Sequence, residues 1–270
     1  MSADYRVTDA RSGRLVDDSS VKFLTVHYPP DGDGPKALLA YSGLAILPDG
    51  TPTGTWIRET LRGESEVFDQ SMAHLRARLD RDVAALRIPL IVNALVVHGE
   101  RRYFGGLSNL TIDARKRRTV IDSFGYTMQE LQEPFAFANG SGAAVVIADR
   151  HLELVRAQLA VRPRKTMDHM RLLATVNRRV AASGKTNTVS PFCQVSFINA
   201  DERTSPVSHV FVEQGEEVPF EMPILLFGID LSGMTRRFHE RADTFFQTKD
   251  PQDMSDLDAA AINEELKRRP

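Results

Sequence analysis

Apolar residues in the first part of the chain form two kinds of pattern. Continuous apolar runs at residues 21–28, 37–47 and 90–99 predict strands. Between the second and third runs, apolar residues recur every three or four positions opposite a charged face. This spacing predicts helices over 53–62 and 66–86.

The rest of the chain repeats this order of elements. Three more strands are predicted at 101–112, 118–125 and 134–140, then two helices over 151–161 and 166–183, then strands at 191–199, 208–214 and 223–230. The segment 246–270 is polar, and Ser255 with Asp258 resembles the capping box of a last helix ending near Arg268. We therefore expect one domain over 1–245, followed by a polar tail with a C-terminal helix.

The order of the elements predicts a fold class. Two pairs of helices, each flanked by antiparallel strands, fit two stacked antiparallel sheets with a helix layer on each outer face. In such a four-layer αββα sandwich of the α+β class, both faces of each sheet are covered. That covering explains why several strands are continuous apolar runs without alternating polar positions.

The charge balance excludes some classes of partner. The chain has 34 lysines and arginines against 36 aspartates and glutamates, and its isoelectric point is near 6.4. A nucleic-acid-binding protein would show a basic excess or a clustered basic face, so we expect no nucleic-acid partner. The basic run 115–118 lies between two predicted strands and is interpreted as a hairpin turn, with contact to a phosphate or an acidic partner as the alternative.

The single cysteine, Cys193, lies in an apolar run, which is typical of a small buried side chain more than of a catalytic thiol. One cysteine forms no internal disulfide, which favours a reducing compartment. No apolar stretch is long enough to span a membrane, and residues 1–9 contain no apolar segment of the signal-peptide kind. We therefore expect a cytoplasmic protein without a membrane partner.

Four short motifs, taken in order, carry a resemblance to a known family. They are Ser2-Ala3-Asp4-Tyr5-Arg6, Ser20-Val21-Lys22-Phe23, Tyr41-Ser42-Gly43-Leu44-Ala45 and Gly140-Ser141-Gly142. Their order and their places on the predicted elements resemble proteasome β subunits and their bacterial relatives, the N-terminal-nucleophile hydrolases. The resemblance covers about residues 2–200.

The resemblance implies roles for four residues. In that family the nucleophile is the free N-terminal residue, and its own amine or a nearby group takes the hydroxyl proton. Lys22 would supply a positive charge held by Asp4, the backbone N–H of Gly43 would donate to an oxyanion, and Ser141 would hydrogen-bond near the terminal amine. We expect these four residues to meet at one cleft, with Lys22 in salt-bridge reach of Asp4.

Two of these residues have alternative interpretations. Lys22 shares a face with Leu24 and Val26, so it is either buried against a carboxylate, with Asp4 as the candidate, or placed at a strand edge where it reaches water. Ser141 stands between two glycines and would equally serve as an ordinary turn residue.

The sequence departs from the family pattern in two ways. The strand that should precede Ser2, with the nucleophile at its start, is absent from the chain as written. The later Asp-x-x-Ser-Gly motif of the family resembles Asn187-Thr188-Val189-Ser190-Pro191 here, in which Asn187 lacks the aspartate charge and Pro191 lacks a backbone donor.

These observations lead to two functional hypotheses. The first is an amide or peptide hydrolase by ancestry, inactive as written because the nucleophile is missing. The second is a non-catalytic assembly or binding protein of the same fold. Either is compatible with a homo-oligomer, because proteasome-like domains bury helix faces in rings, although the charged outer face of helix 66–86 fits a wet or weak interface.

No cofactor is expected. The run Ser183-Gly184-Lys185-Thr186 ends like a phosphate-binding loop, but Arg179 stands where the first glycine of that motif belongs and a helix precedes it. The histidines include no pair at metal-ligand spacing on a helix, so no metal site is predicted either.

Overall fold

The computed structural model describes residues 1–8, 14–17, 20–28, 34–63, 67–112, 118–133, 135–161, 165–198, 207–211 and 223–248. The strands are β1 Ser2–Asp4, β2 Val7–Thr8, β3 Leu15–Asp17, β4 Phe23–His27, β5 Lys36–Gly43, β6 Leu90–His98, β7 Arg101–Ile112, β8 Arg118–Glu130, β9 Cys193–Phe197, β10 Val207–Phe211, β11 Ile224–Leu226 and β12 Ile229–Asp230. The helices are α1 Thr53–Leu61, α2 Phe68–Asp82, α3 Ala143–Ala148, α4 His151–Val161, α5 Thr166–Ala182 and α6 Leu231–Thr248. A 3₁₀ helix, Ala84–Leu86, follows α2. The chain is therefore of the α+β class.

The largest sheet has seven strands in the order β12-β11-β4-β5-β6-β7-β8. Its neighbours are antiparallel except β11 and β4, which are parallel, with Ile224 opposite Thr25. The expectation of a purely antiparallel sheet is wrong at this pair. Strands joined by a tight turn must be antiparallel, whereas β11 and β4 are far apart in sequence and no hairpin sets their direction.

A smaller sheet has the order β1-β9-β10, and both of its strand pairs are antiparallel. Asp4 lies opposite Cys193 in this sheet, so the start of the chain is aligned with a segment almost two hundred residues away. Strands β2 and β3, which are only two and three residues long, form a separate two-stranded sheet.

Helices α1 and α2 cover one face of the seven-stranded sheet. Along β6, the buried side chains of Val92, Ala94 and Val96 share one core cluster with Trp56 of α1 and Leu75 of α2. The intervening residues of β6 lie on the opposite face, because side chains alternate along a strand.

The opposite face is partly covered by the three-stranded sheet. Phe23, Leu38 and Val97 form a buried cluster with Ile198, which follows β9, and Ala3 of β1 packs against that cluster. On its other side β9 packs against α5, where Met170 and Ala174 contact Cys193 and Val195.

The predicted helices and strands differ from the observed ones at several places. The predicted strand 223–230 is two short strands, β11 and β12, and the predicted strand 118–125 extends to Glu130. The predicted helix 66–86 ends at Asp82 and continues as the 3₁₀ helix, because Val83 has φ −122° and ψ −36°. The predicted strand 134–140 is not a strand, since residues 135–139 pair with no described strand. Helices α3 and α6 are not predicted, and α6 runs across residue 245, where the predicted domain ends. The predicted helix near 255–268 lies outside the described residues.

None of the helices in the described part of the chain is both long enough and apolar enough to cross a membrane.

Cys193 supports a prediction about thiol reactivity. The side chain is fully buried, and burial raises its pKa to about 11. We expect the native protein at pH 8 not to react with Ellman's reagent, and one thiol to react when denaturant unfolds the chain, because only an exposed thiolate attacks the reagent. The raised pKa stabilises the fold below the unfolded thiol's value of about 8.5, and this contribution is lost as the pH rises through 11. Reaction of the native protein at the rate of a free thiol would show that β9 is not packed as described.

Candidate functional site

Lys22 and Asp4 form a partly buried ion pair. The Lys22 Nζ lies 3.4 Å from Asp4 Oδ1 and donates a hydrogen bond of 2.7 Å to the backbone oxygen of Arg6. The backbone N–H of Arg6 donates to the same Asp4 oxygen at 2.9 Å. The two side chains are only 13% and 19% exposed. Of the two interpretations of Lys22, the structure therefore shows the one in which a carboxylate holds it.

The two sheets bring this pair together. Asp4 ends β1, while Lys22 directly precedes β4, and the Lys22 backbone oxygen accepts a hydrogen bond from Tyr41 N of β5 at 3.3 Å. The pair thus lies at the junction of the small sheet and the large sheet, a position that follows from their packing.

Gly43 ends β5 in a conformation that requires glycine. Its φ is +104°, and a Cβ at this position would lie 2.0 Å from the backbone oxygen of Pro89. Asn109 holds the segment that presses against it, because its side chain donates to Ile88 O and accepts from Leu90 N, both at 2.8 Å. The end of β5 is therefore set by a buried amide on β7.

The segment Gly140-Ser141-Gly142 is enclosed on two sides. A Cβ on Gly140 would lie 3.5 Å from the Cβ of Ser42 on β5. A Cβ on Gly142 would lie 2.9 Å from Cγ2 of Val189 and 3.3 Å from Cγ1 of Val180 on α5. The two glycines therefore let Ser141 sit between the end of β5 and the turn that precedes β9.

A cleft of about 810 Å³ joins these groups, and Asp4, Lys22, Gly43 and Ser141 all line it. This volume falls in the range of small-molecule sites in proteins, about 300–1,000 Å³. The structure thus brings together four of the six candidate residues.

The other two candidates, Asn187 and Ser190, lie beside the cleft and do not line it. The backbone oxygen of Asn187 accepts a hydrogen bond from Arg6 Nη1 at 3.0 Å. Ser190 is fully buried, its Oγ accepts from Phe192 N at 3.2 Å, and its backbone oxygen accepts from Asn177 Nδ2 at 2.8 Å. Between them, Thr188 and Val189 do reach the lining, because the turn presents its middle residues to the cleft.

Several lining residues are not predicted by the sequence. They are Asn93 on β6, Phe104 on β7, Phe135 and Phe137 in the segment before Gly140, and Asn177 on α5. One signal was available, since Asn93 interrupts an otherwise apolar run over 90–97. The phenylalanines carry no comparable signal, because an aromatic residue in an apolar segment is usually core.

The charged lining is mainly basic. Arg6, Lys22 and Arg118 face one acidic residue, Asp4, which is already paired with Lys22. Among the residues that the structure describes, no three His, Cys, Asp or Glu side chains come together in a way that could hold a metal ion. The cleft therefore favours neutral or anionic ligands.

Comparison of the sequence with models of known protein families gives no match, and comparison with curated proteins gives none either. Function is therefore inferred from the geometry of the cleft.

Proposed function

We propose that this protein is an amide or peptide hydrolase of the N-terminal-nucleophile type, built on the four-layer αββα fold of proteasome β subunits. The packing of α1 and α2 on the large sheet, of the large sheet on the small one, and of α5 on the small sheet supports the fold. The observation that carries the function is the Lys22 ammonium held between Asp4 Oδ1 and Arg6 O at the wall of the cleft.

Each group has a chemical task in amide hydrolysis. A hydroxyl oxygen forms a bond to the substrate carbonyl carbon, and its proton passes through a base to the departing amine as the carbon–nitrogen bond breaks. The Lys22 ammonium favours the deprotonated form of a hydroxyl beside it. The Gly43 N–H donates to the negative oxygen of the tetrahedral intermediate. Water then releases the acyl group and restores the hydroxyl.

The test is acylation of the protein by a β-lactone probe, followed by mass spectrometry of the modified peptide. We expect Lys22→Met to lower the labelling rate by about 10²-fold, the usual cost of removing one electrostatic catalytic group. Lys185→Met is the matched control, because Lys185 is 55% exposed and pairs with Asp149 away from the cleft. If Lys22→Met and Asp4→Asn are both labelled at the wild-type rate, the proposal is contradicted. Labelling at Ser2 would identify Ser2 as the nucleophile.

A second candidate function is non-catalytic binding of a peptide or amide in the same cleft. It is favoured by Asn187, which carries no charge where the family pattern has an aspartate, and which contacts Arg6 only through its backbone oxygen. Saturable binding of a peptide amide without acylation by the lactone would favour this candidate over the hydrolase.

We also propose that the protein forms a weak homo-oligomer through helix faces. The flanks of α2 carry partly exposed ion pairs, Arg78–Asp82 at 3.1 Å and Arg76–Asp80 at 3.8 Å, and its outer side carries the exposed Arg81, which together suit a hydrated contact. We expect light scattering at micromolar concentrations to give a mass above that of one chain. A constant mass of 30.1 kDa would contradict this.

A further inference from the structure

Asn93 is a buried amide on the apolar floor of the cleft. It is 9% exposed and lies on the middle of β6, between the lining residues Ile91 and Leu95 on the same face. No hydrogen bond joins its side chain to another described residue, and its amide atoms are not among the fully enclosed polar atoms, so the carboxamide is open to the cleft. Because the carboxamide carries a free donor and a free acceptor and faces the cleft, it is available to bind a polar group of a ligand.

The neighbours of Asn93 leave space above it. The residues opposite it are Ala40 on β5 and Gly106 on β7, and neither has a side chain longer than a methyl group. Gly106 has φ +140°, and a Cβ there would lie 1.9 Å from Val92 O, so a larger residue would not fit. The carboxamide of Asn93 therefore stands at the bottom of a hollow that opens into the cleft.

Three phenylalanine rings form a wall of the same cleft. The ring centroids of Phe104 and Phe135 are 5.2 Å apart, those of Phe104 and Phe137 are 5.3 Å apart, and Phe135 and Phe137 are nearly parallel at 12°. Phe135 is 39% exposed and Phe137 is 53% exposed. Arg156 Nη2 on α4 donates to Ala136 O at 3.1 Å, which holds the segment that carries both rings. We call Phe104, Phe135 and Phe137 the aromatic wall.

The aromatic wall and Asn93 are adjacent. Phe104 is two residues from Gly106 on β7, so it is the diagonal neighbour of Asn93 on the same face, about 7–8 Å away between backbones. Phe23 on β4 lies opposite Ala40 on β5, which lies opposite Asn93 on β6, so the backbones of Phe23 and Asn93 are about 10 Å apart at 4.8 Å per strand. Lys22 is the residue before Phe23. One ligand of one or two amino-acid residues could therefore reach all three features.

We propose that Asn93 and the aromatic wall form the recognition end of the cleft, which binds an aromatic side chain together with the amide group next to it. The ligand ring packs edge-to-face or offset against the wall, the arrangement that aromatic rings prefer. The Asn93 carboxamide exchanges hydrogen bonds with the ligand amide, since it offers both a donor and an acceptor. As a statement about a substrate, this rests on the proposed function, and it makes the substrate an aromatic amide or a peptide with an aromatic residue.

The test is binding of N-acetyl-phenylalaninamide, measured by ligand-observed NMR titration, with N-acetyl-alaninamide as the apolar comparison. We expect the phenylalanine compound to bind about tenfold more tightly, because the aromatic contact and the area it buries together lower the dissociation constant by about a factor of ten. Asn93→Leu, which has nearly the same shape, and Phe137→Ala should each weaken binding about 3–10-fold. Phe238→Ala is the control, because Phe238 is 44% exposed on α6 and does not line the cleft.

Thermal unfolding separates recognition from a structural role. Asn93→Leu should leave the melting temperature nearly unchanged while it weakens binding, because the amide makes no hydrogen bond to a described residue and leucine has nearly the same shape. A lower melting temperature with unchanged binding would overturn the inference, as would equal affinity for the two amides. Lys185→Met, whose side chain pairs with Asp149 away from the cleft, should bind the phenylalanine compound as the wild type does. If the lactone does not acylate the protein but the preference for the phenylalanine compound is found, the recognition end is supported and the hydrolase proposal is not. If acylation depends on Lys22 but the two amides bind equally, the hydrolase proposal is supported and the recognition end is not.

Discussion

Gly43→Ala is expected to lower the free energy of unfolding by about 3 kcal/mol, from the strain of a left-handed residue and a forced displacement in a packed region. The added methyl group would meet Pro89 O at 2.0 Å, and φ +104° is itself unfavourable for alanine. For a chain of this size we expect the melting temperature to fall by about 6–12 °C. The measurement is thermal unfolding followed by circular dichroism.

Gly50→Ala is the matched control for this substitution. Gly50 also has a positive φ, +88°, but a Cβ there would have no atom within 4 Å. The substitution adds backbone strain but no steric clash, so we expect the free energy of unfolding to fall by about 1 kcal/mol. Equal losses for the two variants would mean that Pro89 moves aside at little cost and that the end of β5 is not rigid.

Asp230→Ala is expected to lower the free energy of unfolding by about 3–5 kcal/mol, which is the usual cost of removing one partner of a buried ion pair. Asp230 Oδ2 lies 3.5 Å from Arg58 Nε on α1, and the two side chains are 1% and 6% exposed. Asp230 also caps α6, because its Oδ1 accepts from Gly233 N at 2.9 Å. The variant should therefore lose the Arg58–Asp230 ion pair and the cap of α6, and urea unfolding measures the loss.

The exposed pair Arg87–Asp122 provides the comparison. Its atoms are 3.9 Å apart and its side chains are 73% and 72% exposed, so Asp122→Ala should leave the urea midpoint unchanged. Adding Arg58→Met to Asp230→Ala should recover part of the loss, because the buried charge is then removed as well. If the two aspartate variants unfold at the same midpoint, the Arg58–Asp230 pair contributes nothing to stability.

Much of the candidate site was predicted from short motifs and from the family resemblance that they carry. A glycine that ends an apolar strand, a lysine beside an apolar strand and a Gly-Ser-Gly turn are each visible in a few residues, and Asp4, Lys22, Gly43 and Ser141 do line one cleft. Asn93 and the aromatic wall were not predictable in the same way. Whether an asparagine in an apolar strand meets a partner depends on the strands beside it, and here those strands offer only Ala40 and Gly106.

The periodic helices and the long apolar strands follow from the sequence alone, because their hydrogen bonds or their buried faces are set by residues a few positions apart. Helix α5 and strand β7 are found within one residue of their predicted bounds. Tertiary structure decided the parallel pairing of β11 with β4, the alignment of β1 with β9, and the position of Ser190 behind the cleft. In each of these the partner lies far away along the chain or in another element, so no local pattern records it, and only the packing of the two sheets selects it.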